Sequence, residues 1–162
     1  MSWGSARRVF ALGAESDRIE PPIPENTAMT TTATTNTQIV KTAFEHFFTG
    51  DIPKLLELLS PEVEWDHRGP ENIPFSRVYR GREEVGEFFK TIDETLENLK
   101  FDLHDFAASD SRVVALGEYS WRVKSTGKAW TSDFALVYTL ADGVITHWKA
   151  VLDMTAASAA FE

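Results

Sequence analysis

Asp66 and His67 stand together at the end of a short predicted strand and have the side chains of a proton-transfer pair. A carboxylate at the mouth of an apolar cavity has a raised pKa and acts as a general base. An imidazole titrates near neutral pH and suits a proton shuttle. Tyr119, on a longer strand, is the matching electrophilic donor, because a buried phenol needs a hydrogen-bond partner. These three residues are the candidate catalytic groups.

Each candidate also has a purely structural interpretation. The alternation that turns Val63 and Trp65 inward points Asp66 outward and His67 inward. Asp66 is then a solvated residue at a strand end, and His67 is a loop histidine bonded to a backbone carbonyl. Tyr119 becomes a core tyrosine with its hydroxyl at a wet edge. The sequence leaves both interpretations open for all three residues.

The other polar candidates favour structural roles. Asp153 ends the last predicted strand and is placed to cap the tail at 154–160, or to pair with Lys149. Asp133 and His147 fall on outward faces of their strands, where they serve a dimer surface or solvent. The four histidines have no clustered spacing, so we expect no metal ion and no other cofactor.

Composition narrows the class of partner. The chain has 162 residues, 43% of them apolar, which is enough for one domain with a real core. Its net charge of −9 opposes nucleic acid or an anionic membrane as a partner. No apolar run approaches the ~18 residues that a membrane span needs. The chain has no cysteine, so a cytoplasmic location is expected.

Helical patterns precede strand patterns along the chain. We expect a disordered leader over 1–37, one domain over 38–155 and a C-terminal tail over 156–162. Helices followed by an antiparallel meander predict an α+β fold, with the helices packed on one face of a curved sheet.

Local signals set the bounds of the predicted elements. Thr37 caps the first helix and Gly50 ends it, whereas Asp51 caps the second helix and Pro61 stops it. The remaining expected elements are a short strand at 63–65, a loop over 67–80, a third helix over 82–97, and strands near 100–107, 112–123, 129–140 and 144–152.

The predicted strands carry an inward face that is rich in aromatic residues. Side chains alternate along a strand, so the odd positions of 113–123 and the even positions of 130–140 and 144–152 face inward. This face and the helices supply the candidate ligand-binding residues Phe47, Trp65, Phe89, Trp121, Phe134 and Trp148. A solid core explains the same pattern equally well, so the pattern does not separate a core from a cavity.

Four segments together carry a resemblance to a known family. They are GD at 50–51, SPEVEW at 60–65, YRGREEVGEFF at 79–89 and DGVITHWKAVLD at 142–153. In this order they resemble the SnoaL-like, ketosteroid-isomerase-like branch of the nuclear transport factor 2-like superfamily. The resemblance covers about 38–155. It implies a cone-shaped curved antiparallel sheet wrapped by three N-terminal helices around an apolar pocket, and it implies a homodimer.

Only some of the catalytic residues of known members of this branch have a counterpart in this sequence. The D-x-x-G step that holds the base of ketosteroid isomerase is matched by Asp66 and Gly69. The tyrosine and the protonated aspartate of its oxyanion hole fall on Ala43 and Leu136. His67 is at a position that resembles the water-holding amide of limonene epoxide hydrolase. The resemblance therefore implies a base but not an oxyanion hole.

Two functions follow from this resemblance. The first is a cofactor-independent acid–base enzyme, of isomerase, cyclase, dehydratase or hydrolase type, that acts on a small oxygenated hydrophobic molecule of polyketide, terpenoid or steroid size. Asp66 or His67 would be its base and Tyr119 its donor. The second is a non-catalytic module of the same fold that binds a small ligand or forms a dimer. The position of Asp66 and His67 relative to a cavity separates the two.

Overall fold

A computed structural model of the protein describes residues 30–162. Its elements are, in chain order, helices α1 (Thr31–Thr49) and α2 (Ile52–Glu57), strands β1 (Leu59–Asp66) and β2 (Val78–Arg80), helix α3 (Gly81–Thr95), strands β3 (Leu96–Ala108), β4 (Arg112–Val123), β5 (Ala129–Ala141) and β6 (Val144–Val151), and helix α4 (Thr155–Ala160). Within these residues no helix is both long and apolar enough to cross a membrane. Residues 1–29 of the expected leader lie outside the described part of the chain.

The six strands form one sheet in the order β2-β1-β6-β5-β4-β3. Strands β3 to β6 form the predicted antiparallel meander. The sheet is not antiparallel throughout, because β1 pairs in parallel with β6. Helices α1, α2 and α3 bury their apolar residues against the concave face. The predicted α+β class is confirmed.

Helix α1 begins six residues before the predicted cap at Thr37. Its N-cap is Thr30, whose hydroxyl oxygen accepts from the backbone N–H of Ala33 at 3.0 Å. Asn36, in the second turn, is buried and its side-chain N–H donates to the carbonyl of Asp110 at 2.9 Å. This long-range bond gives the threonine-rich turns a tertiary partner that helix propensity does not predict. Gly50 ends the helix in the left-handed region, as predicted.

Strand β1 is longer than expected and contains Pro61, which does not stop α2. Helix α2, capped by Asp51 as predicted, already ends at Glu57. Pro61 is tolerated in β1 because the ladder between β1 and β6 is irregular from Leu59 to Glu64, where a missing N–H costs no ladder hydrogen bond. Strand β2 lies within the segment predicted as a loop and forms the edge of the sheet against β1.

Two other bounds differ from the prediction. Helix α3 ends at Thr95 and β3 begins at once at Leu96, because extended backbone at Leu96 pairs with Val123 of β4.

In β4 and β5 the inward faces are the predicted ones. In β6 the prediction fails at Ile145, which is fully buried although its number is odd. A bulge in the pairing of β5 with β6 shifts the alternation there.

Gly117 lies in β4 at a point where atoms of the two neighbouring strands leave no room for a side chain. It pairs with Phe134 across β4 and β5. A Cβ atom at this position would lie 2.0 Å from the backbone oxygen of Asp102 and 2.6 Å from Cζ of Phe134. The Phe134 ring therefore occupies the space that a side chain at 117 would need.

Gly117→Ala should destabilise the protein by about 3 kcal/mol, because either the Phe134 ring or the β3 backbone must shift. Urea unfolding followed by circular dichroism measures the free energy of unfolding. Gly86→Ala is the control: position 86 lies inside α3, and its new Cβ would be 3.5 Å from Leu56. It should be neutral or stabilising by up to about 1 kcal/mol. Equal losses in both variants would show that Gly117 has no special packing role.

Candidate functional site

An apolar cavity of about 90 Å³ lies between the sheet and the helices. Its wall comes from α1, α2, α3, the inner face of the sheet, the segment after β1 and the C-terminal segment. The lining residues are Ala43, Phe44, Phe47, Leu55, Leu59, Trp65, His67, Phe75, Phe88, Phe89, Ile92, Leu96, Phe101, Tyr119, Trp121, Trp130, Leu136, Tyr138, Ile145, Trp148, Leu152, Met154 and Ala157. The cavity lies within the aromatic core, and most of its lining is aromatic.

Most of the candidate ligand-binding residues reach this cavity. Five of the six line it, namely Phe47, Trp65, Phe89, Trp121 and Trp148. Phe134 is not among the lining residues. Its ring packs behind the wall against Phe101 and Tyr119, with ring centroids 5.2 and 5.1 Å apart. The close approach at Gly117 holds it there.

Three flat side chains form a continuous stack in the wall. Trp65 and Trp148 are register partners in the parallel pair β1–β6, and their rings are 4.3 Å apart at 11°. The His67 ring lies 5.8 Å from Trp148 at 18° on the same stack. Phe75 and Phe88 close around the imidazole at 5.3 and 5.5 Å. The stack fixes the plane of the imidazole.

Burial decides the charge of His67. Desolvation lowers the pKa of the imidazole to about 4. A hydrogen bond with the backbone of His67 and the negative charge of Asp66 raise the pKa, but only in part. His67 Nδ1 is buried and has no hydrogen-bond partner in the described part of the chain. His67 is therefore a neutral base at pH 7 that lines an apolar cavity. The inward direction predicted for it is confirmed by its place in the lining.

Asp66 is close to His67 in sequence but does not line the cavity. Its carboxylate accepts from Nε and Nη2 of Arg68 at 3.0 and 2.7 Å, and from the Arg68 backbone N–H at 3.1 Å. These bonds hold the pKa of Asp66 below its ordinary value. The expectation of a raised pKa was wrong, because the guanidinium stabilises the charged form more than burial opposes it.

Tyr119 lines the cavity from β4. Its ring contacts Phe101 and Trp121, at centroid distances of 5.6 and 5.8 Å. Burial raises the pKa of its phenol above the ordinary value. The hydroxyl is therefore protonated at neutral pH and has a proton to donate.

Tyr138 is a second lining phenol that sequence reasoning did not select. Burial raises its pKa too, while the adjacent indole of Trp148 partly offsets the effect. The alternation of side chains did indicate it, since Tyr138 belongs to the predicted inward face of β5. Phe75 and Met154 were missed for a different reason: both lie outside regular strands and helices, so no periodicity assigns them a face.

The other polar residues serve the scaffold. Asp153 is not the N-cap of α4, which is Met154, but its carboxylate accepts from the backbone N–H of Thr155 at 2.8 Å, one residue before the cap. Asp133 and His147 are exposed on the outer face. Among residues 30–162, no group of three or more histidine, aspartate or glutamate side chains is arranged to hold a metal ion.

Residues 40–148 match the family model described as SnoaL-like domain. The chain belongs to the SnoaL-like domain family. No curated protein matches it. The match ends at Trp148, so the Leu152 and Met154 side of the cavity lies beyond the matched residues.

Solved structures share the fold of this SnoaL-like protein. An NTF2-like protein from Burkholderia xenovorans LB400 has 26% identity and a TM-score of 0.75, over 83% of this chain and 100% of that chain. An NTF2-like protein of unknown function from Burkholderia pseudomallei K96243 has 24% identity and a TM-score of 0.70, over 78% and 97%. TerC, co-crystallised with polyporic acid, has 24% identity and a TM-score of 0.69, over 78% and 98%.

The low pKa of His67 predicts a specific pH dependence. An unfolded histidine takes up a proton near pH 6.5, whereas the folded ring does so only near pH 4. Its contribution to stability is therefore complete above about pH 6.5 and is lost as the pH falls towards 4. The loss is on the order of 3 kcal/mol.

His67→Phe should remove this component, so that the difference in unfolding free energy between wild type and variant changes most between pH 6.5 and 4. Urea unfolding at several pH values measures it, and NMR of the imidazole carbons measures the pKa itself. His147→Gln, on the exposed outer face, is the control and should keep the wild-type profile. An imidazole that titrates near 6.5 in the folded protein would contradict the assignment.

Proposed function

We propose that this SnoaL-like protein binds a small oxygenated hydrophobic molecule in its cavity and acts on it as a cofactor-independent acid–base enzyme of isomerase or lyase type. The observation that supports the proposal is the buried, neutral imidazole of His67 in an apolar wall. A neutral imidazole has an accepting nitrogen at pH 7, its lowered pKa makes it a weak base, and the surrounding rings exclude the water that would compete with the ligand.

The proton-transfer step uses two groups that both line the cavity, His67 after β1 and Tyr119 on β4. His67 takes a proton from an acidic carbon or hydroxyl group of the ligand. The protonated Tyr119 stabilises the negative charge that develops on the ligand oxygen by donating a hydrogen bond. Because burial disfavours imidazolium, His67 returns the proton readily to another atom of the same molecule. This cycle balances without a cofactor.

Asp66 supports this cycle without touching the ligand. Its negative charge favours protonated His67 and so offsets part of the cost of charging the ring. The Arg68 fork keeps the carboxylate ionised and turned away from the cavity lining. Asp66 is therefore proposed as a positioning and electrostatic residue. Of the two candidate bases, His67 is the one that we propose.

Cavity volume limits the ligand. Ligand pockets usually measure roughly 300–1,000 Å³, and an engineered apolar cavity of about 150 Å³ takes up benzene. At about 90 Å³ the cavity of this protein is smaller than both. Even a single ring requires a wall to move a little and a steroid or polycyclic polyketide requires far more, so we favour a ligand whose buried part is no larger than about one ring.

A non-catalytic ligand carrier is the second candidate. The observation that favours it is that Ala43 and Leu136, which stand where ketosteroid isomerase has its oxyanion hole, are both apolar lining residues. The cavity then binds by burial of apolar surface alone. In that case His67 contributes to binding but no reaction follows.

Native mass spectrometry of freshly purified protein tests the proposal. We expect a retained molecule of low mass, released and identified after denaturation. His67→Ala should retain it unchanged or at higher occupancy if the imidazole converts it, because the unreacted compound then accumulates. Asp66→Asn should retain it too but lower turnover of the identified compound only partly, on the order of tenfold.

The outcomes separate the two candidates. Turnover of the identified compound that falls by 10²–10⁴ in His67→Ala supports catalysis by a general base. Binding without any turnover in the wild type supports the carrier. A protein that retains nothing and whose cavity takes up no small aromatic compound, tested with phenol and 1-naphthol, would end both candidates.

A further inference from the structure

Two side chains lie between the cavity and a groove on the surface. Leu152 and Met154 line the cavity and also line a surface groove between the segment after β1 and α4. The groove is lined by Arg68, Gly69, Pro70, Leu152, Asp153, Met154, Thr155, Ser158, Ala159 and Glu162. At this place the wall is one side chain thick, so a change of rotamer at Leu152 and Met154 joins the two spaces.

The Met154 side chain is seated in a space left by Gly69. A Cβ atom on Gly69 would lie 3.0 Å from Cε and 3.5 Å from Sδ of Met154, and 3.1 Å from Oγ of Ser76. A methionine side chain is unbranched and repacks at low cost. Residues 152–154 belong to neither β6 nor α4, and the carbonyl of Met154, which accepts from the N–H of Ser158, ties this stretch to the first turn of α4.

Helix α4 packs two buried alanines on the core and is tethered by a few hydrogen bonds. Asn72 and Ser158 exchange two hydrogen bonds, from the Asn72 side-chain N–H to the Ser158 carbonyl at 2.9 Å and from the Ser158 hydroxyl to Asn72 Oδ1 at 2.8 Å. The Thr126 hydroxyl donates to the carbonyl of Ala160 at 2.6 Å. The Phe161 ring packs on Phe75 at 5.9 Å. Such short, mostly surface-bonded elements open locally at low free energy.

We infer that α4 is a hinged cover and that Leu152 and Met154 are the gate through which ligand reaches the cavity. The cavity is smaller than a benzene-sized site, so an occupant needs more room, and here the same two side chains line both the cavity and the outside groove. The inference rests on the proposed function only in naming a ligand as what passes. The cover lies beyond the residues that match the family model.

A single buried cysteine tests the gate. The chain has no cysteine, so Ala43→Cys places one thiol in the cavity lining, at a position that is 4% exposed. The rate of its alkylation by iodoacetamide, measured by intact mass, reports how often the cavity opens. In this background Asn72→Ala and Thr126→Ala should each raise the rate about fivefold, because each removes hydrogen bonds that hold only the closed cover. Met154→Ala should raise it as well.

Arg82→Met is the matched control. Arg82 donates from Nε and Nη2 to the carbonyl of Leu59 at 2.9 and 2.7 Å and so tethers a different wall element, α3. Its alkylation rate should match that of the Ala43→Cys parent. If Arg82→Met accelerates labelling as much as Asn72→Ala, or if no cover variant accelerates it, the gate is elsewhere and the inference is wrong.

Hydrogen exchange of the cysteine-free protein gives a second measurement that does not depend on Ala43→Cys folding. The amides of Ser158 and Phe161, which donate to Met154 and Ala157 in α4, should exchange faster than those of β6, and faster still in Asn72→Ala. Exchange of α4 only through global unfolding would overturn the inference. Neither measurement needs a ligand, so a protein that retains no small molecule yet shows these rates would refute the proposed function and keep the gate.

Discussion

The burial of one imidazole in a wall of aromatic rings is the constraint on which the site depends. His67 is enclosed by Trp148, Phe75 and Phe88, and this enclosure excludes the charged form of the ring at neutral pH. The parallel pairing of β1 with β6 makes the enclosure possible, because it aligns Trp65 with Trp148 and leaves the next inward position to His67. The sheet topology thus determines the ring stacking, and the stacking determines the proton affinity of His67.

The same strand end keeps a charged residue out of the cavity. Asp66 and His67 are neighbours in sequence and both are buried, but only His67 lines the cavity, while the carboxylate of Asp66 pairs with Arg68. A carboxylate inside this wall would have to be neutral or paired, since burying an isolated charge costs far more than one ion pair returns. The arrangement supplies the field of a carboxylate to the imidazole, and the pairing with Arg68 offsets the desolvation of that carboxylate.

The class of fold and the inward faces of β4 and β5 could be predicted from the sequence because both depend on local periodicity. His67 was predicted to point inward by the same rule. What the sequence could not provide depends on contacts between distant residues: the start of α1, which depends on Asn36 reaching Asp110, the bulge that buries Ile145, and the pairing of Asp66 with Arg68. Phe75 and Met154 reach the cavity from irregular segments, where no period indicates a direction.

The parallel contact between β1 and β6 has a consequence for how the protein is made. Trp65 and Trp148 meet across more than half of the described chain, so their pairing closes a long loop and raises the contact order of the fold. On the ribosome, α1, α2 and β1 emerge well before β6 is synthesised. We expect the meander β3–β6 to assemble first and the aromatic stack to form late. In the nascent chain, Trp65 on β1 therefore stays exposed until the last quarter of the chain has been synthesised.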